Sequence, residues 1–540
     1  MTAVNPVPPA ASEKKSWGNA AKAYLDRRAI IMLLLGFAAG IPILLIFSSL
    51  SLWLREAGVD RSVVTMFSWA ALGYSFKFIW APLVDAVPFP ILNKLLGRRR
   101  SWILVSQVLI ILAICMMASV NPISSDNLTL MAIGAVLLGF SSATQDIVVD
   151  AYRIELAPPS LQSVLSAMYT AGYRLGMIVA GAGALYLADF FGSTEAAYNY
   201  EAWRNTYFIM AAVMGVGVVT TLMIREPVSN QVREGVYMQK SDYGRLVAVF
   251  ALSVIGFVMV FANFGALLPE TESVLLGFLF ETIHLSVSLI AALIIGVALV
   301  KVGLVQKKVA YATWIEPIAD FFRRYGKKAL LLLALIGLYR VSDIVAGVIS
   351  NVFYQDMGFS KTDIANAVKL VGVVMVIAGG FLGGILAQKM RMMQAMMVGA
   401  ILACATNLLF ILLTYHPGSL SYLYLAVIAD NLAAGLASAV FIAFLSALTS
   451  IRFTAVQYAI FSSLMTLFPK VLGGYSGTIV DNMGYPFFFA FTFAIGIPIL
   501  VLVYLADKYI VIVDNDKNED DLTQANPLLT DTNEPPRAAE

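Results

Sequence analysis

WLREAGVDRS, residues 53–62, and its echo FYQDMGFSKT, residues 353–362, decide how this chain is folded. Both follow an apolar run, and both read aromatic, polar, acid, apolar, Gly, apolar, then a polar, basic and hydroxyl end. Gly58 aligns with Gly358, Arg61 with Lys361 and Ser62 with Thr362, an offset of 300 residues. Two further echoes keep the order. APLVDAVPFPILNKLLGRRRSW (81–102) and GGILAQKMRMMQAM (383–396) both run from small residues into a basic loop, and Arg174 precedes Gly181 by seven residues as Lys470 precedes Gly477.

The setting of the repeat is a membrane. Of 540 residues 59% are hydrophobic and 13% charged, with a mean hydropathy of +0.81, whereas soluble domains carry roughly 25% charged residues. Fourteen apolar segments can be marked, near 29–54, 63–84, 101–120, 128–150, 163–190, 203–224, 246–268, 274–304, 329–354, 363–388, 393–415, 421–448, 455–481 and 485–510. They are numbered as spans 1 to 14. In lipid each must be a helix, because every backbone amide needs a partner within its own segment.

Basic residues orient the spans. Lys14, Lys15, Lys22, Arg27 and Arg28, then Lys94 and Arg98 to Arg100, then Arg225, Arg233, Lys240 and Arg245 fall on one side, as do Lys307, Lys308, Arg323, Arg324, Lys327, Lys328, Lys389 and Arg391. The other side has little beyond Arg55, Arg61, Arg204 and Lys361. Both termini are therefore expected in the cytoplasm. The organisation expected is a cytoplasmic segment 1–28, a six-helix half 29–224, an inserted helix pair 246–304, an amphipathic cytoplasmic linker 305–328, a second half 329–510 and a disordered acidic tail 511–540. Two six-helix halves in parallel repeat resemble the major-facilitator plan, in which cargo sits near the midplane between the halves. The fold class is all-α.

Ionisable residues inside spans are costly and face a cavity or a partner. Span 4 closes on SSATQDIVVDAYRIE (141–155), where Asp146, Asp150 and Arg153 lie at i, i+4 and i+7 on one helical face. Asp146 is the deeper of the carboxylates, by about 6 Å at 1.5 Å rise per residue. Such a carboxylate can load and release a proton. The alternative for Asp150 and Arg153 above all is a gating salt bridge to the other half. Lys77 in span 2 is a cavity candidate. Arg174 in span 5 is flanked by Tyr169 and Tyr173, which suit stacking on a sugar or plain aromatic packing. Arg340 and Asp343 in span 9 are one turn apart; either they pair locally, or Arg340 holds an anionic group of the cargo. Asp85, before the GRRRSW loop, can cap a helix end and pair with Arg in one gating state, and the second copy has Gln388 where that acid would fall. Glu281 and His284 belong to the inserted pair. Cys115, Cys404, His284 and His416 offer neither a disulfide framework nor a metal site, and no cofactor is expected.

LLLGFAAGIPILLIFSSLSLWL (33–54), FSWAALGYSFKFIWAPLVD (67–85), SSATQDIVVDAYRIEL (141–156) and GYRLGMIVAGAGALYLAD (172–189) together resemble the AmpG-type muropeptide permeases, with TQDIVVDAYR and GYRLGM the most specific blocks. The resemblance runs along nearly all of 25–510. It implies proton-driven import of N-acetylglucosaminyl-1,6-anhydro-N-acetylmuramyl peptides across a Gram-negative inner membrane for peptidoglycan recycling, a flux tied to β-lactamase induction in some bacteria. It also implies Asp146 and Asp150 as coupling carboxylates, with Lys77, Gln145 and Arg174 lining the cavity. The expected partners are the muropeptide, protons and membrane lipid, with no nucleic acid, and the working unit is a monomer. Acetyl-CoA transporters share a QD-x-x-x-D block, so acetyl-CoA or another polar anion is the alternative cargo. An intramembrane hydrolase or transferase is disfavoured: no His or Cys nucleophile–base set is present, and both carboxylates sit on one helix. No G-x-x-x-x-G-K loop for ATP appears.

Overall fold

The computed structural model describes residues 22–60, 63–64, 67, 70, 72–193, 197–227, 240–269, 274–473 and 476–509. Most of the 1–28 segment, the 511–540 tail, and Arg61 and Ser62 of the repeat lie outside the described residues. Within them the chain is helical with no strand, and thirteen helices are long and apolar enough to cross a membrane. Span 2 is described in pieces: Leu72–Phe76, a tighter turn at Lys77–Ile79, and Ala81–Ala86. Pro82 accounts for the break, since it has no N–H to close the helical bond to the residue 78 carbonyl. Trp80 then donates its indole N–H to Thr144 Oγ1 at 3.0 Å, which pins the broken stretch to span 4.

The repeat is visible in backbone geometry. Gly58 and Gly358 have φ of 81° and 83°, a conformation that glycine adopts without steric cost. Around each the same three bonds close the helix end: Ala57 N–H to Trp53, Gly58 to Arg55 and Val59 to Leu54, and likewise Met357 to Phe353, Gly358 to Gln355 and Phe359 to Tyr354. This is one turn built twice, and it satisfies carbonyls left over at a helix C-terminus.

Spans 2, 4 and 5 of the first half pack against spans 10, 12 and 13 of the second, the same three positions in each copy. Among the described residues, the hydrogen bonds that tie the halves lie towards one end, here called the basic side because Arg98, Arg99, Arg100 and Arg225 are there. Tyr24 donates to the Phe381 carbonyl at 2.8 Å and Ser163 to that of Gly384 at 3.3 Å. Asp507 pairs with Arg391 at 3.5 Å, so the described start and end of the chain share that side. Leu175 and Ile178 of span 5 and Leu370 and Val374 of span 10 are exposed.

The inserted helices, Lys240–Phe264 and Val274–Lys301, pack on each other. His284 stacks on Phe261, with ring centroids 4.0 Å apart, and its Nε2 lies 2.7 Å from the Phe261 carbonyl. The following linker helix Glu316–Tyr325 buries Pro317 and Phe321. Gln457 donates to the Pro317 carbonyl at 2.8 Å, and Arg324 donates to Gln457 at 2.8 Å and to the Leu448 carbonyl at 3.1 Å, which fastens the linker to spans 12 and 13.

Spans 1 and 5 meet backbone to backbone. A Cβ at Gly36 or Gly40 would overlap the carbonyl of Tyr169 or Tyr173, so small residues here set where two site tyrosines sit. Gly36→Val is expected to cost roughly 1–3 kcal/mol through overpacking and to lower the thermal unfolding midpoint in detergent. Gly215→Ala, where nothing lies within 4 Å of an added Cβ, serves as the control and is expected to leave it unchanged. Equal midpoints for the two would refute the close packing.

Candidate functional site

Span 4 is a single helix, Ser125–Leu156, whose basic-side half is buried on nearly every face. Asp146 accepts a hydrogen bond from the Tyr169 hydroxyl at 3.1 Å. Among the described residues no cation lies within ion-pair distance of it. Tyr169 and Tyr173 have ring centroids 6.1 Å apart, and Tyr74 shares a 2.5 Å hydrogen bond with Ser142, one turn before Asp146. Spans 2, 4 and 5 thus bring a carboxylate, three tyrosines and a serine together.

Asp150 is held differently. Lys77 Nζ approaches it at 3.9 Å and Arg153 Nη2 at 3.3 Å. Lys77 reaches in from the break in span 2, where the tightened turn buries its stem. Protonating Asp150 would disrupt two cationic contacts, whereas Asp146 can gain a proton without breaking an ion pair. Arg153 goes on to bridge the halves. It donates to Gln162 at 3.0 Å within its own half and to Ser446 of span 12 at 2.9 Å, and its guanidinium lies 5.2 Å from the Tyr458 ring centre in span 13.

A second tie lies at the end of span 2. Asp85 and Arg99 are almost wholly buried and pair at 2.8 Å, and Arg99 also holds Glu155 at 2.5 Å. The other Asp85 oxygen accepts the backbone N–H of Val456 at 3.0 Å. Val456 lies in the first turn of the span 13 helix, Thr454–Gly473, where unpaired amides and the helix dipole favour an anion. Glu226 does the same for span 3, accepting the N–H groups of Arg99 and Arg100 at 2.7 and 3.0 Å.

In the second half Arg340 pairs with Asp343, the local alternative of the sequence reading, and donates to Ser438 of span 12 at 2.6 Å. Thr406 donates to Asp430 at 3.0 Å. Arg174 is half-buried on span 5, donating to Met177 Sδ at 3.7 Å, and is near enough to Arg340 and Asp343 to interact with them electrostatically. Gln145 is fully buried, and neither of its amide atoms meets a partner among the described residues. Glu155, Glu226, Ser446, Tyr74 and Tyr458 were missed in the sequence. Only Glu155 carried a local signal, as the last charge of SSATQDIVVDAYRIE.

Two helical bundles of repeated topology, with buried charge along their shared face, define a membrane transporter rather than an enzyme. Residues 30–344 match the family model described as Major Facilitator Superfamily. The chain belongs to the major facilitator superfamily. It is 30% identical over 488 residues to "Putative transporter AmpG 4" of Rickettsia felis, a match covering 90% of this chain and 98% of that one. It is 29% identical over 477 residues to "Anhydromuropeptide permease" of Escherichia coli K12, covering 88% of this chain and 79% of the relative. Similar solved folds include the proton:xylose symporter XylE bound to 6-bromo-6-deoxy-D-glucose, with TM-score 0.56, 15% identity and coverage of 91% and 96%. The E. coli fucose:proton symporter FucP superposes with TM-score 0.53 at 12% identity, covering 90% and 99%.

Breaking a buried ion pair from one side costs about 3–5 kcal/mol, and Asp85 also anchors a helix end. Asp85→Asn is therefore expected to loosen the basic-side contact. Spin labels at the exposed Ser160 and Ile451, in opposite halves, should report a longer and broader distance distribution in the variant. An unchanged distribution would show that Asp85 does not hold the halves together.

Proposed function

We propose that this transporter imports N-acetylglucosaminyl-1,6-anhydro-N-acetylmuramyl peptides from periplasm to cytoplasm together with protons, by alternating access between residues 29–224 and 329–510. The observation that carries the reading is the contrast between the two span 4 carboxylates. Asp146 has a hydroxyl for a partner, while Asp150 is held by Lys77 and Arg153. Asp146 takes up the proton, and Asp150 with Arg153, Asp85 and Asp343 belongs to the gate. The cargo assignment draws on the AmpG-type relatives. A peptide-bearing anhydrodisaccharide brings carboxylates, hydroxyls and amides, and Lys77, Arg174 and Arg340 supply cations, with Tyr169 and Tyr173 offering rings for the sugars.

The basic side is cytoplasmic by the positive-inside rule. The hydrogen bonds between the halves at that side support a reading in which the carrier is closed to the cytoplasm, the state of an importer awaiting cargo. Opening requires the Arg153–Ser446 and Asp85–Val456 contacts to part. In this reading the chain acts in a bacterial inner membrane as a monomer.

Uptake of labelled anhydromuropeptide into membrane vesicles, with and without an imposed proton gradient, tests this. Accumulation is expected only with the gradient. Asp146→Asn is expected to abolish accumulation while cargo exchange persists in part. Gradient-independent accumulation removes the coupling claim, and normal accumulation by the variant makes Asp146 structural. Uptake of acetyl-CoA but not of muropeptide would replace the cargo.

A further inference from the structure

The inserted pair does not lie flush against the transport body. At the basic end it is packed: Leu246 and Val249 are buried in one cluster with Trp80, Ala81, Val305 and Val309. Further along, the walls separate around a cavity of about 2050 Å³. One wall is span 4 with Ile133 and Val136, the other the inserted pair with Val254 and Leu293, and all four are exposed although they line the same space. Water suits this space poorly, since an apolar cavity at membrane depth offers it few hydrogen-bond partners. At about 30 Å³ per water-sized group the space holds roughly 70 of them, more than the methylenes of two acyl tails.

The rim is not apolar. Lys301 ends the second inserted helix and Lys307 begins the linker, with a turn at Gly303 between them, and both line the cavity. Both are exposed, and among the described residues neither has a carboxylate partner. Tyr311 and Trp314 line the same end, as amphipathic rings do where hydrocarbon meets headgroups. Two unpaired ammonium groups at the mouth of an apolar slot between membrane helices match one kind of occupant, a diacyl lipid with an anionic headgroup.

We propose that this groove is a binding site for one anionic phospholipid, its tails between span 4 and the inserted pair and its phosphate between Lys301 and Lys307. The site explains how the inserted helices stay seated beside the carrier without direct packing along their length. It also has a route to the transport machinery. Phe76, Phe78 and Ile79 of the broken span 2 line the groove, and the Lys77 between them reaches Asp150 on the other side. Binding itself does not depend on which cargo is carried.

The test is native mass spectrometry of the full chain in detergent, titrated with phosphatidylglycerol and with phosphatidylcholine. One phosphatidylglycerol is expected to bind in clear preference to phosphatidylcholine. Lys301→Ala with Lys307→Ala is expected to weaken it roughly ten- to thirtyfold, while Lys327→Ala with Lys328→Ala, also basic and exposed but outside the groove, leaves it intact. Ala292→Trp, which fills the groove and spares both lysines, is expected to expel the lipid as well. Equal binding of the two lipids, retention by the Lys301/Lys307 variant, or equal loss in the control pair would overturn the proposal. Displacement by inorganic phosphate alone would also overturn it, by showing a headgroup site without tails. Thermal unfolding of each variant separates loss of the site from loss of the fold.

Discussion

A charge withdrawn from water into a helical bundle must find a partner or become neutral, and the way each buried charge meets that demand organises this molecule. Arg99 satisfies two carboxylates, Asp85 and Glu155, at the ends of three spans. Asp85 spends its second oxygen on a backbone amide of the opposite half. Arg153 divides its donors between its own half and Ser446 of the other. These bonds make the basic-side contact specific as well as tight. Two apolar surfaces alone would slide past one another, because lipid solvates them as well as they solvate each other.

The latch is built once although the fold is built twice. Gly58 and Gly358 head the same turn, yet Gln388 stands where the second copy would place Asp85, and its Nε2 is buried without a partner among the described residues. A neutral amide gains less from a helix N-terminus than a carboxylate does. Closure at the basic side therefore draws on the first half's charges gripping the second half's helix ends.

Much of this was legible in the chain. The spans and the repeat follow from hydropathy and a ten-residue echo, since lipid leaves the backbone few options. The shared face of Asp146, Asp150 and Arg153 follows from helical periodicity. Partners across helices did not follow. Lys77 meets Asp150 across a distance of 73 positions in the chain, and Arg153 meets Ser446 at a separation of 293; no local pattern encodes such pairs. Arg99 counted only as one of three basic loop residues, while the fold buries it completely and leaves its neighbours nearer the surface. Gln145, implied as a cavity residue by resemblance, is turned into the bundle one helical step from Asp146. The break in span 2 is legible in hindsight from Pro82, but its consequence, the placement of Lys77, needed the third dimension.

The central claim is that proton uptake at Asp146 is tied to cargo entry. It is tested most directly in proteoliposomes loaded with a pH-sensitive dye, at equal pH inside and out. Anhydromuropeptide added outside should acidify the lumen through the unmodified chain and leave it unchanged through Asp146→Asn. Cargo entry without acidification, or equal acidification by the variant, would contradict the account.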